Sequence, residues 1–454
     1  MAEPRLRLHF VGAAGAGVSA LAQLRALEGH QVTGSDRLAD RGLLGDTARR
    51  LEAAGVRLLP QDGSGVAHDT ARLVVSTAIE PDNKDLRRAA ELGVPVVHRA
   101  DELAAVAQAR KTVAVAGTSG KSTVTAMIFH ILESAGRQPS LVTGASLASL
   151  RRRGLLGNAW LGRSDLLAIE ADESDGTINR YSPQVGVLLN VSKDHKPLEE
   201  LFALFLEFKA KSSEFVVSAD APELDGLRNG AFTYGFKNGL LRGKDVELTP
   251  DSSRFNVEGT TFKIPLPGLY NASNALAAVA AARRLDVRLH ESAQALSTFP
   301  GVARRFEFVG CARGVNVFDD YAHNPEKVRA ALGAAHMRSP RILCVFQLHG
   351  FAPARFLKNE FIDAFSAALG PEDILWLPDI YYAGGTAAKD ISAREYAELL
   401  QARGKRARHV GDKNEIARQI AQSAKAGDLV LVLGARDPSL PDFAARLVKA
   451  LESR

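Results

Sequence analysis

The sequence predicts an α/β protein of three domains. Its 454 residues correspond to about three domains of ordinary size. Short runs of β-branched and alanine residues alternate with longer helical patterns, which is typical of βαβ units and parallel sheets. Glycine-rich turns directly follow two of the predicted strands. We place the three domains at residues 1–107, 108–299 and 300–454.

The composition is that of a globular enzyme acting on small molecules. A hydrophobic content of 46% and a charged content of 24% are ordinary. No apolar run approaches the roughly 20 residues of a membrane span, and the N-terminus lacks a signal-peptide core. The two cysteines, Cys311 and Cys344, make neither a disulfide framework nor a zinc site. The net charge of +5 is small and spread along the chain. We expect a cytoplasmic protein without a nucleic-acid partner.

The N-terminal domain opens with a strand, a glycine turn and a helix. The predicted strand covers residues 6–11, the helix residues 18–28, and a second strand, residues 30–34, leads to Asp36. This order predicts a Rossmann-like nucleotide-binding unit. The glycine spacing departs from G-x-G-x-x-G, so NAD is not the automatic ligand, and a purely structural turn is the alternative. The candidate binding residues in the turn are Gly12, Ala13, Gly15, Ala16 and Gly17.

A phosphate-binding loop opens the central domain and predicts the P-loop ATPase type of α/β fold. A buried strand over residues 112–116 runs into the loop, and a helix over residues 123–132 follows it. In such loops the backbone N–H groups bind phosphate, the lysine reaches the β- and γ-phosphates, and the hydroxyl ligates Mg²⁺. Because Val115 replaces the first glycine of the strict motif, a plain glycine turn is the alternative. The candidate ATP-binding residues are Gly117, Thr118, Ser119, Gly120, Lys121, Ser122 and Thr123.

Polar residues follow two further buried strands of this domain. The strand over residues 166–169 leads into a run of acids beginning at Glu170, and the strand over residues 185–190 leads to Asp194 and His195. Carboxylates at the carboxyl ends of parallel strands need a cation or hydrogen-bond donors. With the serine of the phosphate loop they predict a Mg²⁺–ATP site. A structural histidine is the alternative at His195.

Three other stretches complete the central domain. Residues 149–157 are polar and rich in glycine, which predicts a surface loop, and residues 214–264 predict short strands and turns. Asn271 and Asn274 precede a predicted alanine-rich helix over residues 275–284. These asparagines either cap the helix or face a purine edge, and spacing alone does not decide between the two.

The C-terminal domain alternates strands and helices again, which predicts a second Rossmann-like unit. A strand over residues 315–318 ends at Asp319-Asp320-Tyr321-Ala322-His323-Asn324-Pro325, and a helix over residues 325–335 follows. Further strands are predicted at residues 342–346, 374–377 and 429–433, with helices at about 359–369, 392–403 and 413–424.

Taken in order, these motifs resemble those of the Mur ligases, and most closely those of the alanine-adding members. The resemblance covers nearly the whole chain, and the family loop Gly-Thr-x-Gly-Lys-Thr/Ser explains the missing first glycine. The matching stretches are residues 8–17, 34–36, 76–79, 117–122, 170–175, 194–195, 271–274, 304–306 and 319–325.

The resemblance implies an ATP-dependent ligase that joins an amino acid to the carboxylate of UDP-N-acetylmuramate, for peptidoglycan precursor synthesis. In the family the carboxylate takes the γ-phosphoryl group of ATP, and the amine then attacks the acyl phosphate. The N-terminal domain holds the UDP-sugar, the central domain Mg²⁺–ATP, and the C-terminal domain the amino acid. For the alanine-adding members that amino acid is L-alanine.

Residue roles follow from the same resemblance. Ser122, Glu170 and His195 match the metal positions. The expected catalytic residues are Lys121, His195 and Arg305. Asn271 and Asn274 match the adenine side, Arg305 the phosphate and Asp320 the ribose of ATP. The UDP-sugar site adds Asp36 and Ser76 to the glycine turn.

The amino-acid side departs from the family pattern. Gly350 stands where the alanine-adding members carry an arginine, and Pro353 replaces a second one. Near the end, the family's Gly-Ala-Gly turn becomes Gly434-Ala435-Arg436-Asp437. A planar arginine is the usual partner of an amino-acid carboxylate. The candidate acceptor-pocket residues are His323, His349, Arg355 and Arg436. A ligase with another acid or amine, including a murein peptide, is therefore an alternative, and a nucleotide-binding regulatory or dehydrogenase-like protein is a weaker one.

Overall fold

Three β-sheets, one in each third of the chain, organise the protein. The computed structural model describes residues 5–172, 177–191, 198–382 and 388–453. The first two sheets lie in one compact unit, and the third lies in a second unit that consists of Thr249–Asp251 and Ala303–Arg454. Three α/β domains are present, as predicted. The domain boundaries drawn from the sequence stay predictions.

The first sheet is entirely parallel, with the order β3-β2-β1-β4-β5. Its strands are β1 (Arg7–Val11), β2 (Gln31–Ser35), β3 (Val56–Leu59), β4 (Arg72–Val75) and β5 (Val96–His98). Its helices are α1 (Ala16–Leu27), α2 (Arg37–Asp40), α3 (Asp46–Ala53), α4 (Lys84–Leu92) and α5 (Arg99–Gln108). The apolar residues of β1, including Leu8 and Phe10, are fully buried, as expected for a central parallel strand. The predicted glycine turn lies between β1 and α1.

The central sheet has ten strands, in the order β15-β14-β13-β12-β11-β10-β6-β9-β7-β8. They are β6 (Lys111–Ala116), β7 (Ser140–Val142), β8 (Ala159–Trp160), β9 (Leu166–Glu170), β10 (Val185–Leu188), β11 (Glu214–Ser218), β12 (Phe232–Gly235), β13 (Leu241–Leu248), β14 (Ser253–Val257) and β15 (Thr260–Ile264). The helices are α6 (Lys121–Ser134), α7 (Ala148–Arg152), α8 (Leu198–Lys211), α9 (Leu269–Arg283) and α10 (Leu289–Ser297). Strands β10, β6, β9 and β7 are parallel neighbours, so their carboxyl ends share one edge.

Two predictions about the central domain are wrong. The predicted loop over residues 149–157 begins with helix α7, whose Leu150 is fully buried in the core. That buried apolar contact outweighs the arginines and glycines that indicated a loop. Helix α9 begins at Leu269 rather than residue 275, so Asn271 and Asn274 lie inside it. Gly268 is its N-cap residue, without a side-chain cap.

The third sheet has the order β16-β17-β21-β18-β19-β20, with β16 antiparallel to β17 and the other pairs parallel. Its strands are β16 (Glu307–Ala312), β17 (Val315–Asp320), β18 (Ile342–Gln347), β19 (Ile374–Leu377), β20 (Ala407–His409) and β21 (Leu429–Gly434). Its helices are α11 (Pro325–His336), α12 (Phe351–Phe356), α13 (Lys358–Ala368), α14 (Ala393–Ala402), α15 (Lys413–Ser423) and α16 (Leu440–Glu452). Buried apolar residues cover both faces of β21. Among the described residues, no helix combines the length and apolarity that crossing a bilayer requires.

Candidate active site

The phosphate loop lies between β6 and α6, as the sequence predicts. Gly117 and Gly120 have φ of +131° and +90°, which is why glycine is required at both positions. A Cβ at Gly120 would lie 2.6 Å from Asn274 Oδ1, and one at Gly117 would lie 3.1 Å from the carbonyl oxygen of Asn190. The loop is therefore packed between the end of β10 and helix α9, with no room for larger residues.

Asn190 braces this loop from the neighbouring strand end. Its Oδ1 accepts a 2.9 Å hydrogen bond from the Ser119 N–H, and its Nδ2 donates to the Ser119 carbonyl over 3.0 Å. The Thr118 N–H also donates to the backbone carbonyl of Asn190. A loop held at three points keeps its remaining N–H groups oriented before a phosphate binds. The sequence predicts Asn190 only as the last residue of a strand, without a role in the loop.

The metal candidates Ser122 and Glu170 are brought together. The Ser122 hydroxyl donates to Glu170 Oε2 over 3.0 Å, while the other carboxylate oxygen accepts from the Thr143 hydroxyl and the Gly144 N–H. Lys121 Nζ lies 3.7 Å from Asp172 Oδ1. A hydroxyl beside a carboxylate is an oxygen donor pair of the kind that Mg²⁺ prefers. Among the described residues no group of three or more His, Cys, Asp or Glu could hold a metal ion.

Several predicted residues of this site lie outside the described residues. They are His195, Asp194 and the acids at positions 173 and 175. The metal role of His195 therefore stays a prediction.

The two α9 asparagines occupy different environments. Asn271 is buried, and its Nδ2 donates to the Pro267 carbonyl over 2.7 Å, which ties the first turn of α9 to the preceding chain. Asn274 lies against Gly120 of the phosphate loop. Only Asn274 is thereby placed beside the loop, and the adenine role of both residues stays a prediction.

The glycine turn of the N-terminal domain is closed by backbone bonds and one carboxylate. The Gly12 and Ala13 N–H groups donate to the Ser35 carbonyl at the end of β2. Asp36 accepts from the Ala14 N–H over 3.0 Å and from the Leu38 N–H over 2.8 Å, the second bond capping α2. This largely buried carboxylate therefore fixes the shape of the turn.

Two other groups border the same turn. A Cβ at Gly12 would lie 3.3 Å from Ile79 Cδ1, which belongs to the loop that begins at Ser76. A Cβ at Gly17 would lie 3.2 Å from the Arg99 guanidinium, at the start of α5. The structure thus places a cation, Arg99, beside the predicted UDP-sugar turn. Nothing in the spacing of the sequence indicated it.

The acidic end of β17 carries two carboxylates with different partners. The Arg304 guanidinium binds Asp319 at 3.0 Å and also donates to the Gly434 carbonyl. Burial raises the pKa of Asp319 to about 6, against the opposing effect of Arg304. Asp320 accepts from the Phe306 and Ala322 N–H groups over 2.6 and 2.7 Å. Desolvation raises the pKa of Asp320, and the charge of Arg305 opposes this shift.

Arg305 itself lies with its guanidinium carbon 5.1 Å from the centre of the Tyr321 ring. This cation–π contact holds the guanidinium beside the end of β17. The predicted phosphate role of Arg305 and ribose role of Asp320 stay predictions.

Of the four acceptor candidates, the structure brings two together. The rings of His323 and His349 are 5.7 Å apart in an edge-to-face arrangement, and His323 Nδ1 contacts the Tyr321 carbonyl oxygen at 2.9 Å. Desolvation, with the charge of Lys327, holds the pKa of His323 well below its usual value, so its imidazole is neutral at neutral pH. A neutral imidazole positions by hydrogen bonding rather than by charge.

The two arginine candidates are on other elements, Arg355 on α12 and Arg436 after the end of β21. Arg355 lies on α12, where it binds Asp390 at 2.6 Å and the Ala388 carbonyl at 3.3 Å. Pro353 is part of the same helix and makes no turn that directs Arg355 inward. Arg436 is exposed just after β21. The side chain of Arg355 is therefore used by its own surface neighbours.

Comparison with known proteins covers the whole chain. Residues 7–111 match the Mur ligase family catalytic domain, residues 115–282 the Mur ligase middle domain, and residues 304–436 the Mur ligase glutamate ligase domain. The UDP-N-acetylmuramate–L-alanine ligase of Pelotomaculum thermopropionicum is 34% identical over 96% of this chain and 96% of its own length. The chain belongs to the Mur ligase family. It is an ATP-dependent amide-bond ligase.

Further relatives of this Mur ligase agree in length and fold. The UDP-N-acetylmuramate–L-alanine ligase of Streptomyces griseus is 36% identical over 98% of this chain and 97% of its own length. A crystal structure of UDP-N-acetylmuramate-alanine ligase from Thermotoga maritima superposes with a TM-score of 0.83 at 25% identity, covering 99% of this chain and 100% of that chain. The resemblance to the Mur ligases that the sequence motifs indicated is thus confirmed.

Proposed function

We propose that this Mur ligase joins L-alanine to the carboxylate of UDP-N-acetylmuramate, with cleavage of ATP to ADP and phosphate. The observation that carries the proposal is the braced phosphate loop, whose Ser122 hydroxyl is bonded to Glu170. Full-length relatives named for this reaction supply the substrates. ATP and UDP-sugars are cytoplasmic metabolites, so the proposal includes a cytoplasmic location and a role in peptidoglycan precursor synthesis.

In the first step a carboxylate oxygen of the UDP-sugar attacks the γ-phosphorus of ATP. The bond to the β,γ-bridging oxygen breaks, and ADP leaves. Such a transfer depends mainly on positioning and on neutralising phosphate charge. We assign the neutralisation of phosphate charge to Lys121 and Arg305. Residues 117–123 bind the phosphates of ATP in this proposal, and the Gly12–Gly17 turn binds the phosphates of the UDP-sugar.

In the second step the amine of L-alanine attacks the acyl phosphate carbon. The C–O bond to phosphate breaks, phosphate leaves, and the amine loses a proton as the amide forms. Acyl phosphates hydrolyse in water, so the residues around them must exclude it. We place His323 and His349 at the amino-acid side, and we assign Asp320 to the ribose and Asn274, with Asn271, to the adenine of ATP.

Mg²⁺ is part of the proposal. Ser122 and Glu170 would hold it, with His195 as a further ligand by family position. Bound there, the ion would neutralise charge on the transferred phosphoryl group. The existing hydrogen bonds of Glu170 to Thr143 and Gly144 orient its carboxylate, because a ligand held by a second hydrogen-bonding partner is fixed in direction.

The direct test is phosphate release by the purified full chain. We expect release with ATP, Mg²⁺, UDP-N-acetylmuramate and L-alanine together, and the mass of the product should equal that of the two substrates minus water. Omission of either substrate should stop it. Equal activity without UDP-N-acetylmuramate, or binding of NAD in preference to the UDP-sugar, contradicts the proposal.

A second candidate function has an observation in its favour. Gly350 and Pro353 occupy the two positions where the family pattern has arginines. The nearby Arg355 is bound to Asp390. A ligase of the same chemistry with another amine, such as a murein peptide, needs a different carboxylate partner. A screen of amino acids and peptides in the same assay decides, because the amine with the highest kcat/KM identifies the acceptor.

A further inference from the structure

A buried asparagine joins the two domains of the first compact unit. Asn158, directly before β8, is 4% exposed although its side chain is polar. Its Nδ2 donates to the Ala16 carbonyl over 2.9 Å and to the Ser19 hydroxyl over 2.8 Å. Its Oδ1 accepts from Gln23 Nε2 over 2.8 Å. Every polar atom of this central-domain side chain is therefore used on α1 of the N-terminal domain.

The backbone of Asn158 extends this connection toward the phosphate loop. Its carbonyl accepts from the Thr143 N–H over 3.0 Å. The Thr143 hydroxyl donates to Glu170, and the second oxygen of Glu170 accepts from Ser122. One continuous hydrogen-bonded path thus runs from the first turn of α1, beside the glycine turn, to the start of α6.

The two ends of this path are the two substrate sites of the proposed function. Transfer of the γ-phosphoryl group requires the UDP-sugar carboxylate to lie in line with ATP, and a misplacement of about 1 Å can cost about a hundredfold in rate. The substrates are held by different domains, so the spacing between the glycine turn and the phosphate loop fixes their alignment. Buried polar groups with all partners satisfied hold such spacing firmly.

We propose that Asn158 is a positioning residue that fixes the first turn of α1 relative to Glu170, and so aligns the UDP-sugar with ATP. This inference rests on the proposed function. Its side chain acts only on α1, whereas Thr143 is held by its backbone. A substitution at Asn158 therefore disturbs the UDP-sugar side and leaves the ATP side intact.

The test compares Asn158→Asp and Asn158→Ala with the matched variant Arg50→Gln in the full chain. Arg50 also crosses between the domains, donating to the Leu155 carbonyl over 2.6 Å, and its further bonds go to Asp46 and to the Arg151 carbonyl. For both Asn158 variants we expect the KM for UDP-N-acetylmuramate to rise about tenfold and kcat to fall. The KM for ATP should change by less than about twofold, and Arg50→Gln should change neither KM.

The outcomes separate this inference from the proposed function. If the wild-type chain releases no phosphate with UDP-N-acetylmuramate, the proposed function fails, and the inference fails with it. If the wild type is active and the Asn158 variants keep both KM values, the inference alone is overturned. Equal increases in the KM for ATP and for the UDP-sugar also overturn it. Should Asn158→Ala unfold, as judged by thermal melting, Asn158→Asp and Gln23→Leu, which removes one partner, give the same measurement.

Discussion

The phosphate loop and the acceptor region differ in how their side chains are organised. By acceptor region we mean His323, His349, Arg355 and Arg436. Around the phosphate loop, side chains at the ends of neighbouring strands bond to the loop and to the start of α6. Asn190 bonds to the Ser119 backbone, and Glu170 accepts from the Ser122 hydroxyl. In the acceptor region the rings of the two histidines meet, while Arg355 binds Asp390. The phosphate loop is therefore held in shape before ligands bind, whereas in the acceptor region one of the two arginines is already bound to a carboxylate.

Replacing Lys121 should give the largest loss. Lys121→Ala removes the positive charge from the first residue of α6, and we expect kcat to fall about a thousandfold, as on removal of a preorganised electrostatic group. Phosphate release measures the effect. Lys111→Ala is the matched control, because Lys111 begins β6, the strand that leads into the loop, and is exposed beside Asp165. Near-normal turnover of folded Lys121→Ala would place the chemistry outside this loop.

The metal candidates should give the next largest effect. Glu170→Ala removes the acceptor of Ser122, and Glu170→Ala and His195→Ala should each lower turnover about a hundredfold at low Mg²⁺. More Mg²⁺ should restore part of the rate in one or both. Titration of the rate with Mg²⁺ measures this. An unchanged Mg²⁺ dependence in both variants would show that these residues do not hold the ion.

Substitutions of the two acceptor arginines should differ in their effect on the KM for L-alanine. Loss of one charge-assisted hydrogen bond costs roughly 1.5–3 kcal/mol, so Arg436→Ala should raise the KM for L-alanine on the order of tenfold or more. Arg355→Ala should leave it unchanged, because Asp390 already holds that guanidinium. Steady-state kinetics with L-alanine as the varied substrate decides. The reverse ranking would make Arg355 the carboxylate partner, and two neutral substitutions would remove both arginines from the pocket.

Gly350 should give the smallest effect, on stability. Its φ of +69° is a left-handed conformation, and a Cβ there would lie 3.2 Å from Pro353 Cδ. Gly350→Ala should cost roughly 1–2 kcal/mol and lower the thermal midpoint. Gly333→Ala, inside α11 where a Cβ meets open space, should raise the midpoint instead. Equal midpoints for both variants would mean that Gly350 does not hold this conformation in solution.

Much of the phosphate loop could be predicted because its signal is local. A strand, a glycine loop and a helix follow one another directly, so the positions of Lys121 and Ser122 required no knowledge of distant residues. Glu170 was predicted as a strand-end carboxylate by the same logic. The predicted start of α9 is wrong because the N-cap residue is Gly268. A glycine offers no side-chain cap, so the sequence gives only a weak signal for the start of this helix.

What could not be predicted depends on the order of the strands. Asn190 and Thr143 reach their partners because β10, β6, β9 and β7 are neighbours in the sheet. Asn158 reaches α1 because that helix packs against the stretch of chain that enters β8. Hydrophobic periodicity identifies strands but not which strand lies beside which. Arg99 reaches Gly17 for a similar reason, since α5 follows a strand far along the chain. Loop conformations decide where the residues of the acceptor region lie, and the spacing of residues in the sequence does not predict those conformations.

Helix α6 carries one more consequence. The consecutive residues Ala126, Met127, Ile128 and Phe129 point in different directions around the helix, and all are fully buried. Residues 122–129 are all buried, so this part of the helix has no solvent-facing stripe. The amide hydrogens of this part of α6 should exchange with deuterium only when the whole domain opens. We therefore expect them to exchange more slowly than the amide hydrogens of the surface helices. The start of α6, which bears Lys121, is thereby anchored to the slowest-opening part of the domain.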